Sequence, residues 1–211
     1  MTQLHEVVDM HGSPRPSRSR RAGAVDHERL ARAVREMLLA IGEDPEREGL
    51  RETPERVARA CAELFAGLAD DPACHLARAF DEGTGDLVVL RAIDFTSTCE
   101  HHLLPVLGTA HVAYLPSPGR VVGLSKIART VELFARRPQL QERMTAEIAD
   151  ALIEHAGALG ALVIVEGEHM CLRMRGVGKR GAVMRTMAAR GELARDDARR
   201  REVTELLLAG G

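Results

Sequence analysis

The chain has 211 residues, 45% of them hydrophobic, with 29 basic against 31 acidic side chains and a formal net charge of -2. That is enough apolar material for one sizeable domain with its own core, while balanced charge and an aromatic content of 2% exclude a general nucleic-acid binder. No apolar run approaches the roughly 20 residues of a membrane span, and the first residues lack a secretory apolar block, so a cytoplasmic protein with no nucleic-acid and no membrane partner is expected.

Residues 1–24 contain Gly12-Ser13-Pro14-Arg15-Pro16-Ser17-Arg18-Ser19-Arg20-Arg21, a polar, basic and breaker-rich stretch that reads as a disordered tail. Residues 25–80 read as a helical segment. Its first helix opens at Asp26 as N-cap and carries Leu30, Val34, Leu38 and Ile41 on one face until Gly42 stops it. The second has Thr53 as cap and Pro54 in its first turn, and is expected to bury Val57, Cys61, Leu64 and Leu68. Cys61 on that stripe reads as a small buried hydrophobe, and Cys74 beside His75 is a weak metal candidate on its own.

From Asp86 the texture changes to β, and residues 81–211 read as the main domain. Strands are expected at Leu87-Val88-Val89-Leu90, at 110–115, and at Val121-Val122 after a Pro116-Ser117-Pro118-Gly119 turn. Two helices follow, about 125–136 and 139–156, divided by Pro138 and closed by Gly157. A strand over about 161–175 and a return strand near 182–189 complete the body. Paired strands with helices grouped between them predict an α+β fold rather than a doubly wound parallel sheet.

Four cysteines in a chain without an export signal point to metal binding or burial rather than disulfides. The run Cys99-Glu100-His101-His102 and the distant His169-Met170-Cys171 supply two thiols and three imidazoles. Zinc takes such donors tetrahedrally, and a catalytic site needs only three, leaving one position open. Cys99 and His102, three apart, can fold onto one metal from a tight turn, with Cys171 as third ligand and His101 and His169 nearby but unbound. Strand alternation would put His169, Cys171, Arg173 and Arg175 on one side and Met170, Leu172 and Met174 on the core side. A solvated strand with an incidental cysteine, or a closed structural zinc site using both His101 and His102, are the alternatives.

The helix opening at Ser125-Lys126-Ile127-Ala128-Arg129 turns Ile127, Val131 and Phe134 inward. Lys126 and Arg129 are then neighbours on another face. Cations in a first helical turn oppose the helix dipole, so a capping Ser125, free backbone N–H groups and the two cations suggest a phosphate cradle. Gln141 and Glu142 fall at the start of the next helix. A carboxylate there suits the dipole, and could also accept hydrogen bonds from a guanidine-like edge.

Four stretches together resemble one family: Phe95-Thr96-Ser97-Thr98-Cys99-Glu100-His101-His102-Leu103, Val122-Gly123-Leu124-Ser125-Lys126-Ile127-Ala128-Arg129, Arg137-Pro138-Gln139-Leu140-Gln141-Glu142-Arg143, and Glu168-His169-Met170-Cys171-Leu172-Arg173-Met174-Arg175-Gly176-Val177. They are similar to GTP cyclohydrolase I, over roughly residues 26–205. The resemblance implies a tunnelling fold (T-fold), an antiparallel sheet with helices packed on one face. Sheets of several subunits join into an oligomeric β-barrel, and a dimer of pentamers forms a homodecamer with intersubunit active sites. It implies Zn2+ on Cys99, His102 and Cys171, and His101 and His169 as acid/base groups. Ser125, Lys126, Arg129 and Arg175 would lie around the triphosphate and ribose, Gln141 and Glu142 would read guanine, and Arg56 and Arg59 would add phosphate contacts from a neighbouring subunit.

The implied reaction converts GTP and water to 7,8-dihydroneopterin triphosphate and formate, the first step toward tetrahydrofolate-type pterins. Zinc would activate water for attack on C8 while His169 protonates N7 and His101 relays a further proton. A relative acting on another purine or pterin and a non-catalytic, zinc-containing regulatory protein are the competing readings. One stretch departs from the family pattern: in Ala182-Val183-Met184-Arg185-Thr186-Met187-Ala188-Ala189-Arg190-Gly191 only Thr186 remains of a usually hydroxyl-rich strand.

Overall fold

The computed structural model describes residues 25–81 and 85–209, so the expected tail at 1–24 lies outside the described residues. Helix α1 (His27–Ala40) opens as expected on Asp26, whose carboxylate accepts from the Arg29 N–H at 2.9 Å. Helix α2 (Thr53–Leu64) has Glu52 rather than Thr53 at its cap position and Pro54 in its first turn. Its expected stripe is only partly covered. Pro54 and Ala58 are buried, Val57 and Cys61 half-buried, and Leu64 exposed, as is Ile41 after α1. A 3-10 turn at Ala66–Leu68 and helix α3 (Pro72–Leu76) then lead into the main body, where Leu76 is fully buried.

Strand β1 (Ala79–Phe80) precedes two long strands, β2 (Val88–Cys99) and β3 (Pro105–Leu115), which pair antiparallel. The short β4 (Val121–Val122) pairs with β1 and is held by the single tyrosine. Tyr114 receives the Val122 N–H at 3.0 Å and donates to the Val122 carbonyl at 3.3 Å. Helix α4 (Leu124–Ala135), strand β5 (Pro138–Gln139), helix α5 (Gln141–Glu154) and strand β6 (Gly160–His169) follow. The chain closes with helix α6 (Met170–Arg173), strand β7 (Met184–Gly191), helix α7 (Glu192–Arg195) and helix α8 (Asp197–Leu208). The five-stranded sheet runs β5-β2-β3-β6-β7, antiparallel throughout except for the two-residue parallel pairing of β5 on β2.

This is the expected α+β arrangement. One sheet face, with Val112, Tyr114, Ala161, Val163 and Val165, forms the main core with Ile127, Val131 and Phe134 of α4 and Met144, Ile148 and Leu152 of α5. The C-terminal helix was not foreseen. Its Val203 and Leu207 join Leu193 in covering Ala113, Leu115, Leu162 and Ile164 on the opposite face.

Parity along β2 changes once. Leu90 pairs with Val112 and Ile93 with Ala110, so Arg91 and Ala92 together oppose His111. Ala92 takes a left-handed φ of 53°, and its N–H donates to His111 Nδ1 at 3.4 Å. Burial holds the His111 pKa below the ordinary imidazole value against the pull of Glu166, which suits a ring nitrogen that must stay an acceptor. Beyond the bulge, Phe95 and Cys99 face the same core as Val88 and Leu90 did before it.

Gly108 sits under the Phe95 ring, and a Cβ there would come within 2.1 Å of the Glu166 carbonyl and 2.7 Å of the ring. Gly108→Ala should therefore destabilise the fold by about 1–3 kcal/mol, near the upper end because a backbone atom cannot step aside, measured as a lowered urea midpoint.

Candidate metal centre and active site

Cys99 ends β2 and starts a tight turn. Its N–H donates to the Leu104 carbonyl at 2.9 Å and its carbonyl accepts from Leu103 N–H at 2.8 Å, with Leu103 at a left-handed φ of 54°. A branched residue rarely adopts that conformation, and such strain concentrates at functional sites. The turn is pinned from below by the Glu100–Arg143 ion pair and by Glu100 N–H donating to the Gln139 carbonyl at 3.1 Å.

The second half-site differs from the expected strand. β6 ends at His169, and Cys171 rides on the one-turn helix α6, so strand alternation does not align His169, Cys171, Arg173 and Arg175. β3, the neighbour of β6, begins at Pro105 and offers its last pairing, Val106, to His169. Beyond it the chain has no ladder to follow, so it coils. The turn of helix nevertheless carries Cys171 back against the main core and places its Sγ 3.8 Å from Cys99 Sγ.

Cys99, His169 and Cys171 bring donor atoms within 4.8 Å of one another. The sulfur spacing fits a metal: two thiolates about 2.3 Å from one zinc at the tetrahedral angle stand about 3.8 Å apart, whereas a disulfide holds them at about 2.0 Å. Burial and the hydrogen bond that it donates to Cys99 push the Cys171 thiol above its ordinary pKa, so a second negative sulfur there calls for a nearby cation. His102, expected as the third ligand, stands outside this cluster. It is exposed, with Nε2 2.7 Å from an Arg175 guanidinium nitrogen and its ring edge-on to His101 at 6.4 Å between centroids.

His169 is half-buried, and burial lowers its pKa while the Glu142 carboxylate opposes the shift. Its Nε2 lies 2.9 Å from Gln141 Oε1. Gln141, at the start of α5, is 6% exposed, and its amide nitrogen donates to the Val165 and Met184 carbonyls at 3.0 Å each and to Thr186 Oγ1 at 3.2 Å. Glu142, the next residue, is exposed.

The anion cluster lies apart from the thiols in this chain. Gly123, not Ser125, occupies the N-cap position of α4, with Ser125 and Arg129 exposed and Lys126 half-buried. The far end of α4 abuts the Cys99 end of the sheet, where Ser97 donates to the Ala135 carbonyl at 2.7 Å. Lys126 is therefore about 14 Å back along the helix axis from that end, at 1.5 Å per residue. Arg56 and Arg59 are exposed on α2, Arg56 bridging Glu52, Thr53 and the Gly49 carbonyl at 3.0–3.2 Å.

Several contacts that shape the site escaped the sequence reading. Gln139 receives Arg143 at 2.6 Å and donates to Glu147 at 2.9 Å, which ties β5 to α5 behind the Cys99 turn. Thr145 and Thr186 stand 2.6 Å apart beneath Gln141. Only the four-residue spacings of Gln139 with Arg143 and of Gln141 with Thr145 could have linked any of these beforehand.

The family model for GTP cyclohydrolase I matches residues 30–208. GTP cyclohydrolase 1 of Mycobacterium ulcerans is 56% identical over 186 residues, covering 88% of this chain and 92% of that protein. GTP cyclohydrolase 1 of Halalkalibacterium halodurans is 55% identical over 183 residues, covering 87% and 97%. Among solved structures, the archaeosine synthase QueF-Like in its apo form aligns with 51% of this chain and 96% of its own at a TM-score of 0.42 and 18% identity. With a matching family model over most of its length and near-full-length relatives sharing more than half their residues, the chain belongs to the GTP cyclohydrolase I family.

Proposed function

We propose that this chain uses water to open the imidazole ring of GTP, yielding formate and 7,8-dihydroneopterin triphosphate, at a zinc ion held by Cys99, Cys171 and His102. The observation that carries this reading is the 3.8 Å approach of two sulfurs from distant segments, next to an imidazole already fixed by hydrogen bonding. His102, three residues after Cys99 on an exposed turn, would complete the set, while His169 is tethered to Gln141. Zinc held there would lower the pKa of water and polarise the atom under attack.

The remaining steps fall to the chain's own side chains. His169 takes up a proton from water on Nδ1, the nitrogen turned away from Gln141, and passes it to N7, which makes C8 more electrophilic; His101 serves as a second proton carrier at the exposed rim. Glu142 accepts hydrogen bonds from the guanine edge, which orients C8 toward the thiol pair. Ser125, Lys126, Arg129 and Arg175 hold the triphosphate and ribose, and Arg56 and Arg59 add charge from a neighbouring chain.

Distance supports an assembly. The cationic start of α4 and the thiols sit at opposite ends of one helix, so a second chain must bring its own α4 start to the thiol end. Among the described residues, β2 from Val88 to Ser97 and β7 along its whole length each hydrogen-bond to a strand on one side only. Free edges at both ends of a sheet invite head-to-tail pairing, which closes into a ring. Exposed Met37, Leu39 and Leu64 on the first two helices, and Ile41 just after the first, offer further apolar contact. A cytoplasmic homodecamer of two pentameric barrels is the assembly we infer. No helix among the described residues is long and apolar enough to cross a membrane.

The reaction is tested by incubating the metal-loaded protein with GTP and following formate together with a pterin that fluoresces after oxidation; absence of both from assembled protein would overturn it. Metal analysis separates the roles. Cys171→Ala and His102→Ala should lose bound zinc, whereas His169→Ala keeps it and loses most ring opening; zinc lost from His169→Ala but kept by His102→Ala would make His169 the third ligand. Mass photometry should return ten chains, and full turnover by a monomer would rule out the intersubunit site.

A further inference from the structure

The hydrogen-bond directions around Gln141 leave no freedom. Its amide nitrogen faces two backbone carbonyls, Val165 and Met184, at 3.0 Å each, and carbonyls only accept. The nitrogen must therefore point that way, and the orientation is forced by chemistry. Thr145 donates its hydroxyl to the Gln141 backbone carbonyl at 2.7 Å. That hydrogen being used, Thr145 accepts in its 2.6 Å contact with Thr186, so Thr186 donates there and offers a lone pair to the Gln141 amide at 3.2 Å. All donors of the amide are spent inside the protein.

Gln141 Oε1 is then an acceptor, and its 2.9 Å partner, His169 Nε2, must carry a hydrogen. The neutral ring therefore keeps its lone pair on Nδ1. Glycine at 167 makes room for this contact, since a Cβ there would stand 2.5 Å from Gln141 Oε1. With the residue 6% exposed and its side-chain polar atoms occupied, Gln141 has little left to offer a purine.

We propose that Gln141, braced by the Thr145–Thr186 hydroxyl pair, is a positioning residue that fixes His169 in its Nε2-protonated tautomer, and that reading of the purine edge falls to Glu142 alone. Thr186, the one hydroxyl of β7, is thus the last member of a chain that ends at the reacting imidazole. The proposal rests on the GTP reaction above, and it assigns Gln141 to proton geometry instead of substrate choice.

Two measurements test it on the assembled, metal-loaded protein. In kinetics with GTP and with ITP, which lacks the exocyclic amine, Gln141→Ala should lower kcat by about 10–100-fold for both while the ratio of their KM values stays that of the parent. Glu142→Gln should change that ratio. Gly167→Ala, which displaces the carboxamide without deleting it, should mimic Gln141→Ala, and Thr186→Val should lose activity that Thr186→Ser retains. Adding Gln141→Ala to His169→Ala should cost nothing further. A GTP-selective rise in KM with kcat unchanged in Gln141→Ala would overturn the assignment.

The second measurement needs no turnover. Magic-angle-spinning spectra of protein labelled with 15N-histidine, with the His169 signals identified by their loss in His169→Ala, should show Nε2 protonated in the parent and a mixture of tautomers in Gln141→Ala. An Nδ1-protonated His169 in the parent would refute the proposal, even if the protein proved inactive toward GTP.

Discussion

Side chains alternate along a strand, so Leu90 and Cys99, nine residues apart on β2, ought to face opposite sides of the sheet. They face the same side because Arg91 and Ala92 share one partner, His111, and the extra residue shifts the parity of everything that follows. Without that bulge the thiol would point toward the C-terminal helix, away from α5, Gln141 and His169. The bulge is secured by a left-handed alanine whose N–H is received by a buried, neutral imidazole. A histidine remote from the chemistry thus decides on which face the chemistry takes place.

The same face carries His169 and the residues that hold it. Val106, Gly167 and His169 share it by register, and α5 lies across it with Gln141 at its first turn. Two different devices then converge there. The thiols come together through a strained turn and a short helix, both irregular. The imidazole is placed by a strand end and a saturated hydrogen-bond network, both regular. Irregular backbone supplies the close sulfur approach that a ladder spacing of about 4.8 Å would not give, while regular backbone supplies rigidity.

Much of this was legible in the sequence, and the failures have physical causes. The periodicity of Ile127, Val131 and Phe134, and of Met144 and Ile148, located both core helices because a strong apolar stripe outweighs other signals. Cys99 and Cys171 were recognisable as partners from donor chemistry alone. The strand reading through 169–175 failed because alternation of Met170, Leu172 and Met174 continues in the sequence after the neighbouring strand has run out. Thr53 and Ser125 were read as caps from residue type, yet each lies one or two residues inside its helix. The Thr145–Thr186 contact joins positions 41 apart, and no local pattern encodes such a pair.

Between Glu168 and Glu192 the chain has no acidic residue, yet it contains Arg173, Arg175, Lys179, Arg180, Arg185 and Arg190. In a molecule of net charge -2, Arg175, Lys179 and Arg180 gather positive charge on the loop directly after the thiol of Cys171, while Arg173, Arg185 and Arg190 are paired with Glu168, Glu166 and Asp150. An approaching polyphosphate feels this field over about one Debye length, roughly 8 Å in physiological salt. Encounter is therefore sensitive to ionic strength, while the half-buried imidazole of His169, held by Gln141, is less so. Capture and chemistry in one site answer to different properties of the solvent.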